Sequence, residues 1–143
     1  MLRTRFTEMF GLTHPVMSAP MALHSGGTLA AAVSAAGALG SFGAMHPTKG
    51  PDWIDAEVAI IRAGTDRPFA VGFITPFLAF TAPILEAVLA QRPAAVAFSF
   101  GDPKPWIGQC KAAGAQVICQ VQNYDDADLA IAGGADVLVA QGT

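Results

Sequence analysis

This sequence is short of charge. Only 13% of its 143 residues are Asp, Glu, Lys or Arg, against about a quarter in an average globular domain. Met9 to Thr48 contains no charged residue, and neither does Pro68 to Leu85. A chain so poor in ions has little polar surface, so it buries much of itself or is buried by something else. Its cations are scattered and the net charge is −3, which argues against a nucleic-acid groove built on clustered phosphate contacts. The uncharged stretches do not make a membrane span. Pro15, Pro20, Gly26, Gly27, Gly37 and Gly40 interrupt the first, and Pro76 and Pro83 interrupt the second. Cysteine is nearly absent. Cys110 and Cys119 lack metal-ligand spacing and read as buried thiols in a reducing compartment, so no metal site is expected. No apolar run precedes Glu8, so no secretory leader is visible and the cytoplasm is the expected location.

What the chain does contain is a regular alternation. It centres on His14-Pro15-Val16-Met17-Ser18-Ala19-Pro20-Met21-Ala22. Val16 to Ala19 reads as a short buried strand that ends at Pro20, because proline cannot donate to a sheet ladder. Small residues follow, and these let a flat ligand lie against the backbone. A helix through Leu29–Ala36 is expected next, capped by Ser25 or Thr28, with Leu29 and Val33 on its packing face. Strands are expected at Leu39–Phe42, Phe69–Ile74, Ala95–Phe100, Gln116–Val121 and Asp136–Ala140. Between them, Ile54, Val58 and Ile61 mark one helix stripe, and Ile84, Leu85, Val88 and Leu89 another. Thr81, Asp102 and Asn123 are candidate helix caps. Ala36-Gly37-Ala38, Ala113-Gly114-Ala115 and Gly134-Ala135 repeat one punctuation: a helix ends on glycine, an alanine follows, and a strand begins.

Apolar strands alternating with helices imply parallel pairing and right-handed crossovers. An open doubly wound sheet and a (β/α)₈ barrel both fit. A barrel needs eight strands and typically about 250 residues. With about six strands legible, the chain reads as the N-terminal part of a single barrel, an incomplete parallel α/β TIM-barrel. Its uncovered edges would favour self-association.

In either architecture the functional loops follow the strands. His24 and His46 fall on that face, and either could act as a base. His14 precedes the first strand and belongs to the stability face. Gln120 and Gln141 close two strands, where an amide offers donors and an acceptor to a heteroaromatic edge or a hydroxyl. The glycines of Gly37–Gly43 have the wrong spacing and place for a dinucleotide loop.

Taken in order, Arg3–Glu8, His14–Ala22, Arg67–Val71 and Gly134–Thr143 resemble the nitronate monooxygenases, formerly called 2-nitropropane dioxygenases. The resemblance implies a TIM barrel that binds FMN and oxidises alkyl nitronates with O2 to carbonyl compounds and nitrite. It implies that Ala19, Pro20, Met21 and Ala22 line the isoalloxazine, with Gln120, Gln141 and Gly142 near the ring and ribityl chain. Many members end the third strand in an asparagine that contacts the flavin, and Gly72 holds that place here. The family's catalytic histidine and phosphate loops follow the position of Thr143, which leaves His24 as the weak candidate base within the chain. The implied partners are a small nitronate and O2. Two other readings accompany this one: an FMN-dependent enoyl-acyl carrier protein reductase of the same barrel type, and a non-catalytic barrel fragment or assembly module.

Overall fold

The computed structural model describes residues 2–141. Five strands, β1 (Gly40–Gly43), β2 (Phe69–Ile74), β3 (Ala95–Ser99), β4 (Gln116–Val121) and β5 (Val137–Ala140), form one sheet in the order β1-β2-β3-β4-β5. Every pair is parallel, with Gly40 opposite Phe69, Ala70 opposite Ala95, and Ser99 opposite Gln120. The order never reverses, so the sheet has no switch point of the doubly wound kind. Each neighbour follows its predecessor in sequence, as in a barrel wall.

Six helices accompany the strands: α1 (Arg5–Phe10), α2 (Gly27–Ala35), α3 (Pro51–Gly64), α4 (Ala82–Ala90), α5 (Lys104–Ala112) and α6 (Tyr124–Gly133). The two faces of the sheet carry different cores. On the outer face, Phe42, Val71, Phe73, Val96, Phe98, Val117 and Cys119 pack against Ile54, Val58, Ile61, Leu85, Val88 and Ile107 of the helices. On the inner face, Leu39, Ala70, Ala95, Ala97 and Ile118 are closed off by Phe6, Phe10 and Leu12 from α1 and its exit. The inner residues are mostly small, as the inside of a narrow cylinder requires. The chain is therefore an incomplete (β/α)₈ barrel.

The expected opening strand is reduced to a single bridge between Met17 and Leu39. Leu39 N–H donates to Val16 O at 2.9 Å, and Ser18 N–H donates to Leu39 O at 3.0 Å. The next donor in that ladder would be residue 20, and Pro20 has none. Hydroxyls take over: Ser41 N–H donates to Ser18 Oγ at 2.8 Å, and Ser41 Oγ donates to Ser18 O at 2.5 Å. Val16, expected to be buried, is 56% exposed on this open edge.

Three further expectations are corrected. Helix α2 is capped by neither Ser25 nor Thr28. Gly26 is its N-cap, and the carboxylate of Glu57, on α3, accepts from Gly27 N–H at 2.5 Å. Ser25 Oγ donates instead to Met21 O at 2.8 Å. The buried face of α2 is Gly27, Ala30, Ala31 and Ser34, while Leu29 is exposed and Val33 half-buried. Close approach selects the small residues: a Cβ on Gly40 would strike Ala30 O of α2. The loop after β2 is a 3₁₀ turn, Thr75–Phe80, and the Thr81 hydroxyl bonds Phe77 O rather than capping α4. Asn123 caps α6 as expected, accepting from Asp126 N–H at 2.9 Å.

Candidate functional site

At the C-terminal ends of the strands, residues 19–22 cross over β1 and β2. Two glycines permit this. A Cβ on Gly43 would lie 2.8 Å from Ala22 N, and one on Gly72 would fall closer than 3.0 Å to the Pro20 ring. Beside this crossing is a hollow of about 240 Å³ lined by Ala19, Pro20, Met21, Ala22, Gly72 and Gln120, with Met45, Phe73, Ile74, Ser99 and Phe100 completing its wall. The six residues named first are those for which the resemblance implies cofactor contact. A second hollow of about 240 Å³ adjoins it, sharing Ala19, Pro20, Ser99 and Gln120 and reaching Gln141. Gly142, expected on the same rim, lies outside the described residues.

The polar part of the site is a short relay. Ser99 Oγ donates to Gln120 Oε1 at 2.9 Å, and Gln120 Nε2 donates to Gln141 Oε1. The relay leaves one N–H of Gln120 and both N–H groups of Gln141 for a ligand. Ser99 has no motif around it and escaped the sequence reading. Its signal is the register, which sets it opposite Gln120.

The histidines divide differently. His24 is exposed, its Nδ1 lies 3.0 Å from Ala22 O of its own loop, and it lines neither hollow. His46 is half-buried against Trp53, with ring centroids 5.6 Å apart, and its Nδ1 accepts from Thr48 N–H at 3.3 Å. His14 is exposed at the strand N-terminal side. Neither thiol is a nucleophile at neutral pH. Burial pushes Cys110 up to about 11, and burial together with the charges of Cys110 and Asp136 pushes Cys119 up to about 12. Among the described residues no group of three His, Cys, Asp or Glu could hold a metal ion, and no helix is long and apolar enough to cross a membrane.

An FMN ring needs a flat apolar seat and an amide edge, and the residues present fit both needs. Its phosphate needs free backbone N–H groups, commonly at a helix N-terminus. The N-terminus of α2, which follows the crossing, is already taken by the Glu57 carboxylate.

Known proteins resemble this chain in sequence and fold. The chain is 31% identical to a (3aS,4S,5R,7aS)-5-hydroxy-7a-methyl-1-oxo-octahydro-1H-indene-4-carboxyl-CoA dehydrogenase of Mycobacterium tuberculosis, over 99% of its own length and 39% of that protein's. It is 32% identical to a nitronate monooxygenase of Pseudomonas aeruginosa, over 96% of its length and 50% of that protein's. Among solved structures it matches FabK from Thermotoga maritima with a TM-score of 0.89 at 32% identity, covering 98% of this chain and 44% of that one. It also matches a nitroalkane oxidase from Streptomyces ansochromogenes, with a TM-score of 0.78 at 28% identity, covering 98% and 49%. The chain thus spans half or less of the length of these relatives. A dehydrogenase, a monooxygenase and an oxidase are all oxidoreductases. With the nitronate monooxygenase family profile matching residues 3–83, more than half of the sequence, the chain belongs to the nitronate monooxygenase family.

Proposed function

We propose that residues 1–143 are the N-terminal part of a single FMN-binding (β/α)₈ barrel that oxidises alkyl nitronates with O2 to carbonyl compounds and nitrite. One observation carries this reading: Ala19, Pro20, Met21, Ala22, Gly72 and Gln120, scattered over a hundred positions, line one hollow at the strand C-termini. When bound, the flavin supplies a two-electron acceptor that O2 reoxidises. The chain's own residues do the rest. Residues 19–22 offer an apolar backbone platform to a planar ring. Gln120 and Gln141 fix its polar edge, each holding the other in place. The crossing also screens one side of the hollow from water. The base that meets the nitronate is a histidine beyond Thr143, where the resemblance puts it. His24 is tied to its own loop, so it is a poor candidate for that role.

A ring seat without a phosphate seat makes a sharp test. Lumiflavin, the bare ring, and FMN should quench with similar, weak affinity when titrated into this chain. FMN binding more than about tenfold tighter would mean that the chain holds a phosphate site, and no quenching by either would refute the ring seat. In the whole protein, nitrite release from an alkyl nitronate under O2 tests the reaction. A second reading, reduction of an enoyl thioester by reduced nicotinamide, is favoured by the relative named for a carboxyl-CoA thioester. NADPH consumption on an enoyl thioester without nitrite release from nitronates would select it.

A further inference from the structure

A third hollow, of about 430 Å³, opens beside the first and shares Ala22, Met45 and Ile74 with it. Its remaining wall comes chiefly from the loops after β1 and β2, including His46, Lys49, Phe77 and Phe80, with Leu23 from the segment before α2 and Ile84 from α4. It lies at the C-terminal ends of β1 and β2, with Ala22 and Leu23 supplied by the segment that follows the open edge at residues 16–18.

Two features set it apart from ordinary surface. The first is apolar exposure where a chain normally hides it: Phe80 is 86% exposed, and Leu23 and Phe77 are exposed around the same rim. Clustered exposed apolar side chains mark binding grooves, whereas single ones do not. Leu23 is also held in the left-handed region, at φ 67°, which a branched residue rarely adopts. The turn that forces it is fixed by Ser25 Oγ on Met21 O. The second feature is that the polar groups of the wall face other partners. Lys49 Nζ sits 5.2 Å from the centre of the Trp53 ring, so its stem lines the hollow while its charge rests on the indole. His46 Nδ1 is engaged by Thr48, and the Thr81 hydroxyl by Phe77 O. Apart from the second ring nitrogen of His46, what remains for a ligand is hydrocarbon and aromatic surface.

We infer that this third hollow receives the apolar chain of the substrate, several carbons long, while the reacting end meets the ring seated in the first hollow. The inference rests on the oxidoreductase reading for what the reacting end undergoes, but not for the binding itself. It makes Leu23, Phe77 and Phe80 the residues that set chain-length preference.

Trp53 reports on the hollow through Lys49 and His46, and Trp106→Phe leaves it as the only indole. Titration of that variant with ethanol, 1-butanol and 1-hexanol should give a saturable change in Trp53 emission. Affinity should tighten by up to about fourfold for each added methylene. Phe77→Ser and Phe80→Ser alter exposed side chains, so both should fold. Each should weaken hexanol binding several-fold and leave ethanol unaffected. A flat series, or variants that bind hexanol as tightly as the parent, would overturn the inference. So would light scattering that finds a dimer dissociated by Phe80→Ser, since the patch would then be a self-interface. Lumiflavin titration reads the first hollow separately. A hexanol response without lumiflavin binding would support the third hollow and sink only the ring seat. Lumiflavin binding without a hexanol response would sink the third hollow alone.

Discussion

Replacing Gly72 with alanine tests the crossing of residues 19–22 most directly. In β2, Gly72 is paired with Gly43 on one side and Ala97 on the other, so its backbone cannot retreat. An added Cβ would fall closer than 3.0 Å to Cβ and Cγ of Pro20, and a proline ring has no rotamer with which to evade it. Overpacking of this kind costs about 1–3 kcal/mol. The loss of glycine's unfolded-state freedom offsets about 0.4–1 kcal/mol of that. A net loss of about 1–2 kcal/mol is expected, which for a chain of this size lowers Tm by roughly 3–8 °C. Urea unfolding followed by circular dichroism should show a lower midpoint at unchanged slope. If the crossing lifts away to relieve the clash, the stability loss shrinks, but the ring seat goes with it and lumiflavin quenching disappears. A Gly72→Ala protein as stable as the parent that still binds lumiflavin would refute the close packing of Pro20 on β2.

Three further outcomes are expected. Glu57→Ala strands the N–H of Gly27 and the Nε1–H of Trp53, which donates to Glu57 Oε1 at 2.6 Å. It should cost about 1–3 kcal/mol and shift Trp53 emission, with Glu57→Gln in between; an unchanged urea midpoint would dismiss the remote cap. The thiols of Cys110 and Cys119 stay protonated in the folded chain up to about 11 and 12, while in the unfolded chain they ionise near their ordinary 8.5. The unfolded state therefore binds fewer protons above about pH 9, and stability falls from there towards pH 11. A Cys110→Ala/Cys119→Ala protein should show a flatter decline over that window, and a parallel one would argue that the thiols are not shielded. Finally, β5 and residues 16–18 leave sheet edges unpaired, so this chain in isolation should self-associate. Light scattering that gives a monodisperse monomer at high concentration would contradict this.

Much of the wall was legible because its signals are local. The glycine-alanine punctuation marked where helices end, and Gln116–Val121 and Phe69–Ile74 were bounded by turn residues on both sides. Asn123 announced its helix through Asp125 and Asp126 in the next turn. What escaped depends on distance in sequence. The cap of α2 comes from a residue thirty positions later, which no window around Ser25 contains. The packing face of α2 was misread because hydrophobicity points to Leu29 and Val33, whereas close approach to β1 admits only Ala30, Ala31 and Ser34. Residues 16–19 have a strand's composition, but the missing N–H of Pro20 cuts their ladder short. The candidate ring seat was named through resemblance, and its polar partner Ser99 became visible only once strand register set it against Gln120.

The Ser18–Ser41 clasp has one more consequence. Two hydroxyls, rather than a run of peptide bonds, fasten the opening segment where it turns into the ligand platform. That platform can therefore swing free while β1 to β5 remain whole. Amide exchange should release protons at residues 16–22 long before the strands behind them, so the surface offered to a cofactor is also the first part of the cylinder to breathe.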